Sequence, residues 1–219
     1  MYETIRDNLR RLRAEIPAYV SIVAAVKGRM PDEVSAAIDS GINAIGENYI
    51  QEAINLKCAL SCRSEWHFIG HLQLNKVKKA VELFDMIQTV DTIGLANTIN
   101  QNAAALDKIM PVLIEVNIGR EPQKNGLMPE SVPGLANLIA ELPNLRLSGL
   151  MTMGPNIPSK ELKPYFKTAR TIYEELLRMC LPNTDIRYLS MGMSDSYRTA
   201  IEEGANMVRL GTAIFGPRV

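Results

Sequence analysis

The chain has 219 residues, 47% of them hydrophobic, and its 24 lysines and arginines balance its 24 aspartates and glutamates. A zero formal charge supplies no net field for nucleic acid or anionic lipid, and the short cluster Lys76, Lys78 and Lys79 reads as a solvated helix face. No apolar run approaches the length of a membrane span and Met1 to Glu15 is charged throughout, so neither membrane insertion nor secretion is expected and the expected compartment is the cytoplasm. Cys58, Cys62 and Cys180 form an odd set with no matching Cys/His pair nearby, which predicts free thiols and no metal site.

Residues 3–15 carry Ile5, Leu9 and Leu12 among charges, the spacing of an amphipathic helix that Pro17 closes. Tyr19 to Lys27 is then an uninterrupted apolar run that stops on a single lysine. Its β-branched residues and short length suit a strand buried on both faces, as in parallel sheets covered by helices. A loop, Gly28-Arg29-Met30-Pro31, leads to a helix over 32–40 that ends at Gly41. The same unit recurs down the chain. Strands are expected at 43–46, 66–69, 86–90, 110–116, 145–151, 186–189 and 207–210. Between them fall helices over 49–59, 75–84, 93–106, 130–141, 160–179 and 195–203, with Asp91 placed to cap the third of these.

Strict alternation through eight strands predicts a single (β/α)8 TIM barrel, one domain over residues 1–219, with an extra N-terminal helix. No helix is expected after the eighth strand, and the N-terminal helix fills that gap in the outer ring. A barrel carries its working groups at the carboxyl ends of its strands. Read that way, the rim holds Lys27, Asn48, Gly70-His71, Asp91, Asn117, Met151, Ser190 to Ser194, Arg209 and Gly211-Thr212.

Two rim segments have the chemistry of phosphate binding. Ser190-Met191-Gly192-Met193-Ser194 enters a helix with hydroxyls and a glycine, and Arg209-Leu210-Gly211-Thr212 follows the last strand, where barrels often hold phosphate. Ser194 can equally be a plain cap for its own helix. An amine and a phosphate cradle on one rim point to a Schiff base with a phosphorylated aldehyde, and desolvation of Lys27 would favour the neutral amine this needs. His67 lies inside a strand and reads as a core residue; His71 is at the rim without an evident partner.

The strings Ile45-Gly46-Glu47-Asn48-Tyr49-Ile50-Gln51-Glu52, Trp66 through Lys76, Leu189 through Asp195 and Val208 through Gly216 together resemble the pyridoxal phosphate homeostasis protein family, the single-domain relative of the alanine racemase N-terminal barrel. That resemblance implies pyridoxal 5'-phosphate as cofactor. It implies Lys27 as the lysine that forms the internal aldimine, Ser194, Gly211 and Thr212 on the phosphate, Asn48 beside the ring and Arg209 against the pyridine nitrogen. Ser190 and Met193 are implied second contacts, and Lys124 matches a lysine carried near the rim. The chain departs from the family pattern around Lys27, with Val26 where serine is usual and Gly28-Arg29-Met30-Pro31 where Thr-Lys-Pro is usual. Arg29 could keep the positive charge there.

Function divides between a carrier and an enzyme. An arginine at the pyridine nitrogen disfavours its proton and weakens the ring as an electron sink, which favours a protein that holds the cofactor and takes part in its homeostasis. Racemisation also needs proton donors on both faces of the substrate carbon, and no second one stands out. A racemase-like enzyme of low activity and a Schiff-base aldolase remain the competing readings. Cofactor-dependent apoenzymes are candidate recipients that leave no mark in the sequence, and a monomer is expected.

Overall fold

The computed structural model describes residues 2–60 and 64–218, so the Cys62 half of the thiol pair at 58 and 62 lies outside the described residues. Eight parallel strands close into one barrel in chain order: β1 (Ser21–Ala25), β2 (Ala44–Glu47), β3 (Glu65–Phe68), β4 (Met86–Val90), β5 (Met110–Val116), β6 (Leu145–Thr152), β7 (Thr184–Ser190) and β8 (Met207–Leu210). Around them run α1 (Tyr2–Glu15), α2 (Pro31–Asp39), α3 (Ile50–Ala59), α4 (Val77–Leu83), α5 (Ile93–Ala104), α6 (Val132–Ala140), α7 (Lys163–Arg178), α8 (Tyr197–Glu202) and the one-turn α9 (Thr212–Phe215).

The main core lies between the strands and the helices. There Ala24, Ile45, Ile87, Ile114 and Leu210 meet Leu9, Val34, Val81, Ile99 and Phe166, all almost wholly removed from water. Burial of such side chains is worth about 1.5–3 kcal/mol each. Tyr19, at the head of the apolar run, is 68% exposed, and the strand starts only at Ser21. A short helix does follow β8, contrary to expectation, but α9 is too brief to cover the seam. α1 does so, as expected. It packs on α2 and α9, and its Glu15 carboxylate accepts hydrogen bonds from Tyr197 and Arg198 of α8, both at 2.6 Å. Thr92, not Asp91, caps α5: its hydroxyl oxygen accepts from the Leu95 N–H at 3.3 Å, while Asp91 accepts from the Gly126 N–H.

The barrel interior holds two small apolar clusters, Val23, Ala44 and Met207 in one and Met86, Leu113 and Met151 in the other, with Tyr188 packed against both. Met151 reaches that interior because β6 carries a bulge. Val112 pairs with Leu147 but Leu113 pairs with Gly149, so Ser148 is an extra residue that reverses which later side chains face inward. Gly149 sits at this step with φ +142, and a Cβ on it would collide with the Tyr188 carbonyl. Backbone strain and the clash act together, so Gly149→Ala should cost about 3 kcal/mol. Urea unfolding measures this as a lower midpoint with an unchanged slope.

Candidate functional site

The end of β1 and the start of α9 are brought side by side by the pairing of β1 with β8, in which Ala24 lies opposite Leu210. A Cβ on Gly211 would lie 3.4 Å from the Ala25 carbonyl oxygen, so the bare backbone of residue 211 runs beside the segment that carries Lys27. Lys27 is the second residue of a turn closed by the Arg29 N–H on the Val26 carbonyl at 2.9 Å. The third residue, Gly28, takes φ +67, a conformation that a threonine resists, which gives a physical reason for the glycine in this chain. Glu52 of α3 holds the Gly28 N–H at 2.8 Å.

The Lys27 side chain is half-buried, not enclosed. Its Nζ donates to the Tyr49 hydroxyl at 3.1 Å and lies 4.8 Å from that ring's centre. Arg29 does not supply a free charge to the rim. It pairs with Glu33, donates to the Gly216 carbonyl and stacks 5.2 Å from the centre of the Phe215 ring, pinning the β1 turn to α9.

Ser194 does not cap α8. Its hydroxyl oxygen accepts from the Gly211 N–H at 3.1 Å and the Ala213 N–H at 3.0 Å, clasping the β7–α8 loop to the start of α9. Two amides are thereby engaged, and the hydroxyl hydrogen is left to donate outward. Ser196 occupies the N-cap position of α8 without a side-chain cap bond; its hydroxyl accepts instead from the Met193 N–H at 3.1 Å, back in the preceding loop. Met193 is 40% exposed on the rim and Thr212 is exposed. Asn48 follows β2, with the Gly70 backbone pressed against its own backbone where no side chain would fit.

Arg209 is 5% exposed and donates from Nη1 to the Ser190 carbonyl at 2.9 Å and hydroxyl at 2.7 Å, and from Nη2 to the Thr152 carbonyl at 2.9 Å. Burial lowers its pKa to about 10, against which the charge of Glu115 acts. The guanidinium therefore stays charged at neutral pH. Other rim residues have structural duties. Asn117 binds the Glu121 and Lys124 backbone of its own loop, Met151 points into the barrel, and Lys124 is held by Glu121 at 2.5 Å and the Gly154 carbonyl at 3.1 Å. His71 is exposed and lines a cleft with Asn48, Tyr49, Gln73, Lys76 and Lys79.

Residue-by-residue reading of the sequence missed Tyr49, Glu52, Thr152 and Glu115. The signal for Glu115 was present: it is the only charged side chain in the apolar run of β5. Burial raises its pKa to about 7, with Asp91 adding to the rise and Arg209 opposing it. Glu47, fully buried at the end of β2, is also raised by burial to about 7, although the N–H groups of Tyr49 and Asn48 bind its Oε1 and pull the other way.

A profile of the family described as "Alanine racemase, N-terminal domain" matches residues 2–219, so the fold and its rim lysine define a barrel of that class. The pyridoxal phosphate homeostasis protein of Aquifex aeolicus is 40% identical over 199 residues, covering 90% of this chain and 86% of that protein. That of Escherichia coli K12 is 37% identical, covering 98% and 97%. This chain belongs to the pyridoxal phosphate homeostasis protein family. PipY of Synechococcus elongatus, solved with PLP bound, superposes with a TM-score of 0.87 at 33% identity, over 97% of this chain and 100% of that one. Alanine racemase of Clostridium difficile, at 16% identity and TM-score 0.80, shares the barrel fold; the match covers 99% of this chain and 56% of that one.

Glu47 sets a pH dependence. Its folded pKa, about 7, lies above the ordinary 4.5, so the folded state binds the proton more tightly than the unfolded chain. That contribution is complete below about pH 4.5 and is lost as pH rises through about 7. Glu47→Gln should flatten the fall in unfolding free energy across this window by roughly 2–3 kcal/mol, measured by urea titrations at successive pH values.

Proposed function

We propose that this protein binds pyridoxal 5'-phosphate through Lys27 and holds it as a carrier that takes part in intracellular cofactor homeostasis. The observation that carries this reading is the convergence at the β1–β8 seam: Lys27 two residues beyond β1, the Ser194 clasp on Gly211, and Arg209 two residues before that glycine. The relatives' name and the PLP-bound PipY structure support it.

The residues fit the cofactor's chemistry. When bound, pyridoxal phosphate supplies an aldehyde that condenses with a primary amine and a ring that withdraws electrons best when its nitrogen is protonated. Lys27 supplies the amine, steadied by the Tyr49 hydroxyl. The Ser194 hydroxyl hydrogen and the Thr212 backbone would supply donors for the phosphate, Gly211 would let the backbone approach it closely, and Met193 stands at the edge of the cradle. Asn48 would flank the ring, and Arg209, held by Ser190, would face its nitrogen. An arginine can only donate, so it opposes a proton there and keeps the ring a poor electron sink. Tyr49 is hydrogen-bonded to the lysine itself and so offers no independent second acid across a substrate carbon.

Cofactor-dependent apoenzymes are the proposed recipients, in the cytoplasm. We read the protein as a single barrel domain over residues 1–219, and as a monomer because a closed barrel leaves no sheet edge for pairing.

Purified protein mixed with the cofactor should gain a visible absorption band that Lys27→Ala abolishes, and borohydride reduction should leave a pyridoxyl label on Lys27 alone. A label elsewhere, or robust turnover of free amino acids, would contradict the reading. Ser194→Ala should weaken binding on the order of tenfold, about 1.4 kcal/mol, in a titration of that band.

A further inference from the structure

TIM-barrel interiors are usually filled by layers of branched apolar side chains. Here β3, β4, β7 and β8 instead contribute a file of polar groups that crosses the interior. Arg209 Nη1 donates to the Ser190 hydroxyl oxygen at 2.7 Å. The Ser190 hydroxyl donates to Gln88 Oε1 at 2.8 Å, and Gln88 Nε2 meets His67 Nδ1 at 2.9 Å. His67 Nε2 then stands 3.5 Å from Glu65 Oε2. Arg209, Ser190, Gln88 and His67 are buried, whereas the Glu65 side chain is 72% exposed. Glu65 and His67 line a cavity of about 500 Å3 at the amino-terminal mouth of the barrel, beside Asn43 and Tyr188.

The ends of this file dictate its direction. A guanidinium can only donate and an ionised carboxylate can only accept. Ser190 must therefore accept from Arg209 and hand its one hydrogen to Gln88. Gln88 must then turn its amide nitrogen to His67, and His67 must carry its hydrogen on Nε2, toward Glu65. Reversing a single member sets two donors or two acceptors face to face in a buried place, which is expensive. At the other end Arg209 is anchored as well by the Ser190 and Thr152 carbonyls, so Nε and one Nη2 hydrogen are left uncommitted among the described residues.

We propose that Gln88 and His67 are positioning residues for the cofactor site: acting through Ser190, they fix the orientation and donor polarity of Arg209 before any ligand arrives. The proposal rests on the reading that Arg209 faces the bound ring. Gln88 and His67 themselves do not touch the cofactor.

The first measurement needs no substitution. In cofactor-free wild-type protein, long-range proton–nitrogen correlation spectra should show His67 protonated on Nε2 and bare on Nδ1; a proton on Nδ1 would overturn the proposal. Gln88→Glu removes the donor to His67. It should place a proton on His67 Nδ1 and shift the Arg209 Nε–H resonance. His67→Gln, which can still accept from Gln88, should leave that resonance at its wild-type position, whereas His67→Leu should shift it. In cofactor titrations Gln88→Glu and His67→Leu should weaken binding about threefold to tenfold, with His67→Gln within about twofold of wild type. An Arg209 resonance and an affinity identical in all three variants would sink the idea. Should the buried variants fail to fold, the wild-type tautomer alone decides. Should wild-type protein take up no cofactor, the proposed function fails, while the Arg209 resonance still judges the positioning chain.

Discussion

The closure of the barrel between β1 and β8 is the constraint on which the candidate site depends. In an open sheet of the same strands, Lys27 and the segment 209–212 would stand at opposite edges. Four paired positions, Ser21 with Met207 through Ala24 with Leu210, make them neighbours. The seam is reinforced from outside: Asn8 of α1 donates to the Ile214 carbonyl at 3.0 Å, and Arg29 reaches from the β1 turn to Gly216 and Phe215. Closure also satisfies backbone groups that a free edge would leave to other chains. One set of contacts thus builds the fold and assembles the rim.

Much of this was legible because it depends on local pattern. An apolar run bounded by turn residues marks a strand whatever surrounds it, and the barrel rule converts each strand end into a rim position. Lys27, Asn48, Ser190, Ser194 and Arg209 were placed at or near strand ends that way. Bulges, partners and parity were not legible, because they are settled between strands far apart in sequence. Ser148 reads as one more residue of an apolar strand, yet its register step decides that Met151 faces inward. Ser194 stands ahead of one helix but binds the start of another, 17 residues on. Arg29 appeared available to the rim until Glu33, Gly216 and Phe215 were seen to occupy it. His67 read as a core residue and Gln88 drew no reading, since the hydrogen bond between them exists only once β3 and β4 are paired.

Arg209 is the most costly of these groups to bury. An isolated charge in a protein interior loses several kcal/mol of hydration, and here it is answered by two backbone carbonyls and a hydroxyl, with Glu115 near enough to be felt. Lysine would not serve in its place. The planar fork is what lets one group bind Ser190 and Thr152 at once, and an ammonium on a flexible stem would satisfy one side only. On the proposed reading, the arrangement would hold a permanent cation where an enzyme that needed a strong electron sink would place a carboxylate.

The setting of Lys27 bears on the same distinction between holding and transforming. Enzymes that stabilise reactive intermediates exclude water from the reacting atoms. On this rim the lysine is half-buried, Thr212 is exposed and Met193 is 40% exposed, so water reaches the groups assigned to the cofactor. Under the proposed carrier reading, access of water to Lys27 would keep a condensation with an aldehyde open to hydrolysis. The fixed elements lie deeper: Arg209 and Ser190 are locked inside the barrel, while among the described residues the amine's hydrogen-bond partner is the Tyr49 hydroxyl. A rigid floor with an accessible amine above it suits the proposed carrier, and both features follow from where the chain closes on itself.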